Sequence, residues 1–208
     1  MAEASYRIYC SGPLFNDKER EEMQAIADAC ENAGFATFLP QRDGLELSPA
    51  AAYVVAAGVD FDRTTNEVMP RAMFALDVYD ALVGCDAVIV NLNGRVPDEG
   101  AVVEAALAWG AGQVVAGYKA DMRSVFMGMD NPMVTGLFGF KVHTGIGAAV
   151  RAVEKALVDT PPVKREIDDH PPRVREILDY GRRISEALSG PAGAEAAAAV
   201  LVADYRSG

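Results

Sequence analysis

The sequence predicts a doubly wound α/β domain, a sheet of about five parallel strands with helices on both faces. Three features carry that reading. Residues 6–39 read as a strand–helix–strand unit, Ala87-Val88-Ile89-Val90 is apolar on both faces, and strand and helix signals alternate after it. A crossover helix implies parallel pairing, and a strand buried on both faces belongs at the centre of such a sheet.

Taken in order, Tyr6-Arg7-Ile8-Tyr9-Cys10 is a β-prone run halted by Ser11-Gly12-Pro13, so the first strand delivers a loop. Asp17 is placed to cap a helix reaching about Ala33, with Met23, Ile26, Ala27 and Cys30 at helical spacing and Gly34 as its stop. Phe35 to Leu39 is the second strand, ended by Pro40. Residues 41–66 show no clear period and carry Gly44, Pro49 and Gly58. So long an insertion in a compact domain is functional or partly helical. A helix from about Glu67 to Gly84, interrupted or started by Pro70, leads to the central strand Asp86–Leu92.

The loop Asn93–Asp98 then opens a helix from Glu99 to about Gly110. Gln113–Ala116 and Phe138–Val142 are the remaining expected strands, and Gly147–Val158 a further helix. Thr160-Pro161-Pro162 and His170-Pro171-Pro172 punctuate linkers before expected helices at Arg173–Leu188 and Ala192–Tyr205. This divides the chain into a domain over 1–160 and a helical extension over 161–208 that packs on the domain or on a neighbouring subunit. The alternation is flavodoxin-like or Rossmann-like, and such sheets bind ligands beyond the C-terminal ends of their strands.

Composition narrows the partners. Half of the 208 residues are apolar and 24% are charged, and the net charge is -11. An acidic protein of this kind repels nucleic acid and anionic membrane, so neither is an expected partner. No signal-like segment opens the chain, and no apolar run approaches the roughly 20 residues of a membrane span. Cys10, Cys30 and Cys85 are odd in number and scattered, which reads as buried free thiols in a reducing compartment, and a cytoplasmic location is expected. With His143 and His170 the only histidines and no close Cys/His pairing, no metal site is expected. The loop Ser11-Gly12-Pro13-Leu14-Phe15 is neither GxGxxG nor GxxxxGK, and no cofactor is expected.

Glu104 is the most informative residue. It stands in Ala101-Val102-Val103-Glu104-Ala105-Ala106-Leu107-Ala108-Trp109, a stretch that is otherwise wholly apolar. A helix apolar all round is expected to be buried, and a carboxylate within it is expensive unless paired or used. Gly100, Ala101 and Ala108 share its face and leave room for something to approach. The nearby helix start favours the ionised form. Such a carboxylate suits nucleophilic attack on carbon, against the plainer alternatives of a structural salt bridge or an exposed position. Asp98, six residues earlier, has a helix cap as its ordinary use, yet the loop after a central strand also borders the ligand crevice. Two carboxylates at one glycosidic bond divide the labour of attack and leaving-group protonation. Asp77 is a third candidate and Asp80 its rival, with a solvated helix face the plainer reading for at least one of them. Gly12 permits close backbone approach and Phe15 is suited to cover a base or sugar, although this stretch also serves as an ordinary turn.

These pieces together resemble the nucleoside 2-deoxyribosyltransferase family. The match runs from Ile8-Tyr9 through Ser11–Phe15, Asp77, Cys85–Val90 and Asn93–Gly100 to Glu104, and includes Asn131-Pro132-Met133, similar to the family's Asn-x-Met segment. It covers roughly residues 6–145. The resemblance implies that Glu104 attacks C1′ of a 2′-deoxynucleoside to form a covalent ester, and that a second free purine or pyrimidine base then attacks that ester. It also implies that Asp77 and Asp98 bind and protonate the base, that Tyr9 orients Glu104, and that Gln41 and Asp43 lie in the base-contacting loop. Asn131 would hold the sugar 5′-hydroxyl and Met133 shield the nucleophile in a neighbouring subunit's site, which makes a homo-oligomer. The tail beyond about residue 160 exceeds the family's usual end. A related branch hydrolyses deoxynucleoside monophosphates with a serine-rich loop. The loop here is poor in hydroxyls, so a free nucleoside is the expected substrate. Hydrolysis of a nucleoside or nucleotide, and a nucleotide-sensing module without turnover, are the alternatives.

Overall fold

The computed structural model describes residues 6–124, 130–162 and 165–207. In chain order the strands and helices are β1 (Arg7–Ser11), α1 (Asp17–Asn32), β2 (Ala36–Phe38), α2 (Pro40–Asp43), α3 (Ala50–Ala56), α4 (Phe61–Arg63), α5 (Met69–Tyr79), β3 (Ala87–Asn91), α6 (Glu99–Gly110), β4 (Val114–Tyr118), α7 (Pro132–Thr135), β5 (Val142–His143), α8 (Ile146–Asp159), α9 (Pro172–Ser189) and α10 (Gly193–Ser207). These fall into two compact units, Met1–Leu39 with Gly84–Lys164, and Pro40–Val83 with Arg165–Gly208. The expected boundary near residue 160 grouped residues differently: the stretch after β2 belongs with the C-terminal helices. Among the described residues no helix is long and apolar enough to cross a membrane.

The first unit holds a five-stranded sheet in the order β2-β1-β3-β4-β5, parallel at every pairing. It is a doubly wound α/β fold. The order reverses between β1 and β3, where Ile8, Tyr9, Cys10 and Ser11 pair with Ala87, Val88, Ile89 and Val90. Alternation along a strand sends successive side chains to opposite faces. Ile8, Cys10, Ala87 and Ile89 therefore enter one core with Met23, Ile26, Ala27 and Cys30 of α1 and with Val150, Val153 and Leu157 of α8. Burying each of the larger side chains contributes about 2 kcal/mol. Tyr9 and Ser11 take the other face, where α6 packs on β1, β3 and β4. All three cysteines are free and buried, as the sequence leads one to expect.

In the second unit α5 packs along α9, and α10 packs against α9 and α3. Gly181 permits the close crossing of α9 on α5: an added Cβ would lie 2.0 Å from the Ala75 carbonyl oxygen and 2.6 Å from Tyr79 Cβ. The guanidinium groups of Arg71 and Arg183 lie 5.6 and 5.4 Å from the Tyr180 ring centre. The supposedly aperiodic stretch after Gln41 is largely helical. Asp60 caps α4 by accepting from the backbone N–H of Asp62 and Arg63, at 2.9 and 3.2 Å. Pro70 lies at the start of α5, directly after a π-helical turn over Thr64–Val68 that runs into it.

Two local expectations shift. Asn16, not Asp17, caps α1: its extended backbone lets Oδ1 accept from Glu19 N at 3.0 Å, while Asp17 is already helical. The last strand lies at Val142–His143 rather than Phe138–Val142. Gly139 and Phe140 both adopt positive φ, 59° and 61°, which no extended strand permits.

Candidate active site

Glu104 sits in the second turn of α6 and meets the first strand there. The Ser11 hydroxyl donates to Glu104 Oε2 at 2.5 Å, and the Tyr9 hydroxyl acts on the same carboxylate. Both partners are fully buried. Tyr9 cannot swing, because its ring stacks on Phe38 with centres 5.3 Å apart and planes inclined by 12°. Their placement follows from strand alternation: one residue of slip in β1 would deliver Ile8 and Cys10 to the carboxylate instead.

Burial pushes the Glu104 carboxyl above the ordinary glutamate range. The hydrogen bonds from Ser11 and then Tyr9 oppose that push, and the negative charge of Asp98 adds to it. The helix start favours the ionised form, and desolvation acts against it. Ser11→Ala removes the larger of the two opposing contributions. Its expected result is a Glu104 titration at still higher pH, read by NMR on labelled glutamate. An unmoved titration would mean that the Ser11 hydroxyl does not hold the charged form.

Asp98 caps α6, with Oδ2 accepting from Ala101 N at 2.8 Å. The ordinary use and the electrostatic one therefore coexist in one side chain. Of the small residues near Glu104, Ala101 and Ala108 are buried and Gly100 is exposed, so the open side lies toward Gly100. A Cβ at Gly100 would lie 3.1 Å from Asp98 Oδ2. Helix α6 is not buried all round as expected: Val103 is 54% exposed and Trp109 57%. The sequence pattern registers apolar character, and only packing decides which part of it the chain itself covers.

The loop after β1 divides its roles. A Cβ on Gly12 would lie 2.5 Å from Met23 Sδ and 2.7 Å from Asn91 Cβ, so packing by the protein itself is reason enough for the glycine. Leu14 packs against the core of the α1 face, and Phe15 is exposed with its backbone N–H held by Glu19 Oε2 at 2.9 Å. Asn131 caps the short helix α7, accepting from Met133 N at 2.9 Å, and Met133 is 81% exposed. Gln41 and Asp43 lie in α2 and Asp77 in α5, all in the second unit. Arg42 donates to both carboxylate oxygens of Asp43 at 2.9 Å. The solvated face proposed for Asp77 or Asp80 is not found. Asp77 is half-buried, and Asp80, just past the end of α5, is fully buried.

A supporting network escaped the sequence reading. Asn93 Oδ1 accepts from the backbone N–H of Ala120 at 2.7 Å and of Asp121 at 2.8 Å, while its amide donates to Glu22 Oε1 at 2.6 Å. Asn91 donates to Glu22 Oε2 at 3.0 Å, and Gly94 N to Asp121 Oδ2 at 3.2 Å. Together they tie the loop that carries Asp98 to α1 and to the end of β4. The signal was two asparagines closing an apolar strand, residues whose short amides readily bond loop backbone.

The model of the family described as nucleoside 2-deoxyribosyltransferase matches residues 8–157, well over half of the chain. A conserved protein from Enterococcus faecalis V583, known from its crystal structure, has the same fold: TM-score 0.55 at 18% identity, over 74% of this chain and 100% of that one. A 2-desoxiribosyltransferase from Leishmania mexicana gives a TM-score of 0.43 at 18% identity, over 75% of this chain and 99% of that one. No curated protein matches the sequence. With the matched stretch running from β1 into α8 and spanning Ser11, Asp98 and Glu104, the chain belongs to the nucleoside 2-deoxyribosyltransferase family.

Proposed function

We propose that the protein moves a 2-deoxyribosyl group from one nucleobase to another through a covalent ester on Glu104. One observation carries this reading: a desolvated carboxylate on an apolar helix, aligned by the Ser11 and Tyr9 hydroxyls at the switch point of the sheet. A Glu104 oxygen attacks C1′ as the N-glycosidic bond breaks, and the bonding pair leaves with the base, which takes a proton from the Asp98 side of the site. A second base then attacks C1′ and gives up its N–H proton to the Asp98 side of the site, the ester bond breaks, and the Glu104 carboxylate is restored. Two inversions retain the anomeric configuration. By family resemblance Gln41, Asp43 and Asp77 contact the base; the chemistry at Glu104 stands without them. Gly12, Leu14, Phe15 and Gly100 border the sugar and base, and Phe15 is available because the core does not use it.

In the same reading Asn131 and Met133 complete the site of a second copy. The exposed, apolar Val103 and Trp109 of α6 and the exposed Met133 are available to a second copy. The decisive experiment supplies deoxyinosine with and without adenine. Deoxyadenosine is the expected product, together with a deoxyribosyl adduct on the Glu104 peptide by mass spectrometry when adenine is withheld. Free deoxyribose in both arms would make the protein a hydrolase. Binding without turnover would make it a sensor.

A further inference from the structure

Lys119 and Asp130 form a nearly dry ion pair, Nζ to Oδ1 2.6 Å, with side chains only 7% and 10% exposed. Lys119 follows β4 directly, and its backbone N–H donates to the His143 carbonyl at 2.8 Å, continuing the pairing of β4 with β5. The lysine therefore marks a fixed point at the C-terminal edge of the sheet. Asp130 is joined to Asn131, whose side chain accepts from Met133 N and whose carbonyl accepts from Val134 N at 2.8 Å and Thr135 N at 3.0 Å. Residues 130–135 thus move as one turn. The far end of that turn is held too. Phe138 is buried against Gly117, where an added Cβ would lie 3.1 Å from the ring.

Two buried anchors flank a tip that is itself exposed. Asn131, Pro132 and Met133 are all exposed, Met133 by 81%. Taking two charges out of water is costly, and an apolar pair would fill the same space at least as stably. What a buried ion pair adds is location, because either charge displaced from the other would be left unpaired out of water. Rigid anchoring of an exposed methionine serves something outside its own core.

We infer that Lys119 and Asp130 are positioning residues that fix the Asn131–Met133 turn for the active site of a neighbouring copy. The inference rests on the reading above, in which that turn acts across subunits. Neither residue touches substrate. A shift of the turn by about 1 Å is expected to lower kcat/KM about a hundredfold.

The test uses mixed oligomers, purified through two tags after co-expression. Lys119→Met alone strands a buried carboxylate, so the variant used is Lys119→Met with Asp130→Leu, which leaves no lone charge. Alone it is expected to exchange bases about a hundredfold more slowly, whereas Lys119→Arg, which keeps the pair, retains most activity. Mixed with Glu104→Gln protomers, the double variant should regain activity, because its intact Glu104 receives the intact turn of its partner. An Asn131→Ala chain mixed with Glu104→Gln serves as the reference. Recovery in the reference without recovery of the double variant would overturn the positioning role. Recovery in neither would show that the turn does not act across subunits, and the inference would fall with that reading. Full activity of Glu104→Gln alone would instead defeat the proposed chemistry, a separate result.

Discussion

Glu104→Gln is expected to lower base exchange by about a thousandfold or more while the fold persists. An amide of the same shape still accepts the Ser11 hydrogen bond, but it offers no oxygen able to form and release a glycosyl ester. Exchange is followed by chromatography of the two nucleosides; near-normal rates would refute the nucleophile assignment. The same variant reports on stability. Burial raises the Glu104 pKa, so the folded chain holds that proton more tightly than the unfolded chain. Stability is then lost as pH rises from the ordinary glutamate range through the raised value. At neutral pH the glutamine variant, with no charge to desolvate, is expected to melt at or above the wild-type temperature. At acidic pH, where the native carboxyl is protonated too, the difference should vanish. Lower melting in the variant at neutral pH would point to a structural role for the carboxylate.

Asp98→Asn is the second large effect. Asparagine caps helices as well as aspartate, so the bond to Ala101 N should survive and the fold with it. In the proposed mechanism this removes the proton source for the departing base, at an expected cost of about a hundredfold to ten-thousandfold in rate. The loss should be greatest for bases that leave poorly and smallest for those that leave well as anions. Equal slowing for every base would count against a role in leaving-group protonation. Removal of the Asp98 charge also lowers the Glu104 pKa, since that charge contributes to raising it. The acid limb of the pH–rate profile is therefore expected to move to lower pH, an effect that a simple loss of helix capping would not produce.

The sheet was legible because its signals are local. Runs such as Ala87–Val90 are short, apolar on both faces and bounded by turn residues, and the β1–α1–β2 unit needs no distant information. The carboxylate of Glu104 was legible for the same reason, since it interrupts an apolar helix. Other parts were not. The end of the last strand depended on two positive φ angles, at Gly139 and Phe140, that no residue pattern announces. The stretch after Gln41 looks aperiodic because α2 and α3 are short and the helical run from Phe61 widens into a π-helical turn over Thr64–Val68, which breaks the 3.6-residue period. Lys119 at the end of an apolar strand was a visible signal, yet its partner Asp130 lies eleven positions away and only folding brings the two together.

By itself, then, the amino-acid order determined the parallel α/β class, the central strand, the free buried thiols and an acidic residue set within an otherwise apolar helix. Each depends on side-chain types within one or two turns of chain, where local preference and burial act together. Tertiary structure alone decided that Ser11 and Tyr9 reach Glu104, that burial raises its proton affinity, and that half of an apolar helix stays uncovered. Those outcomes depend on which faces meet across ninety or more residues, and strand register and packing, not local preference, set that meeting.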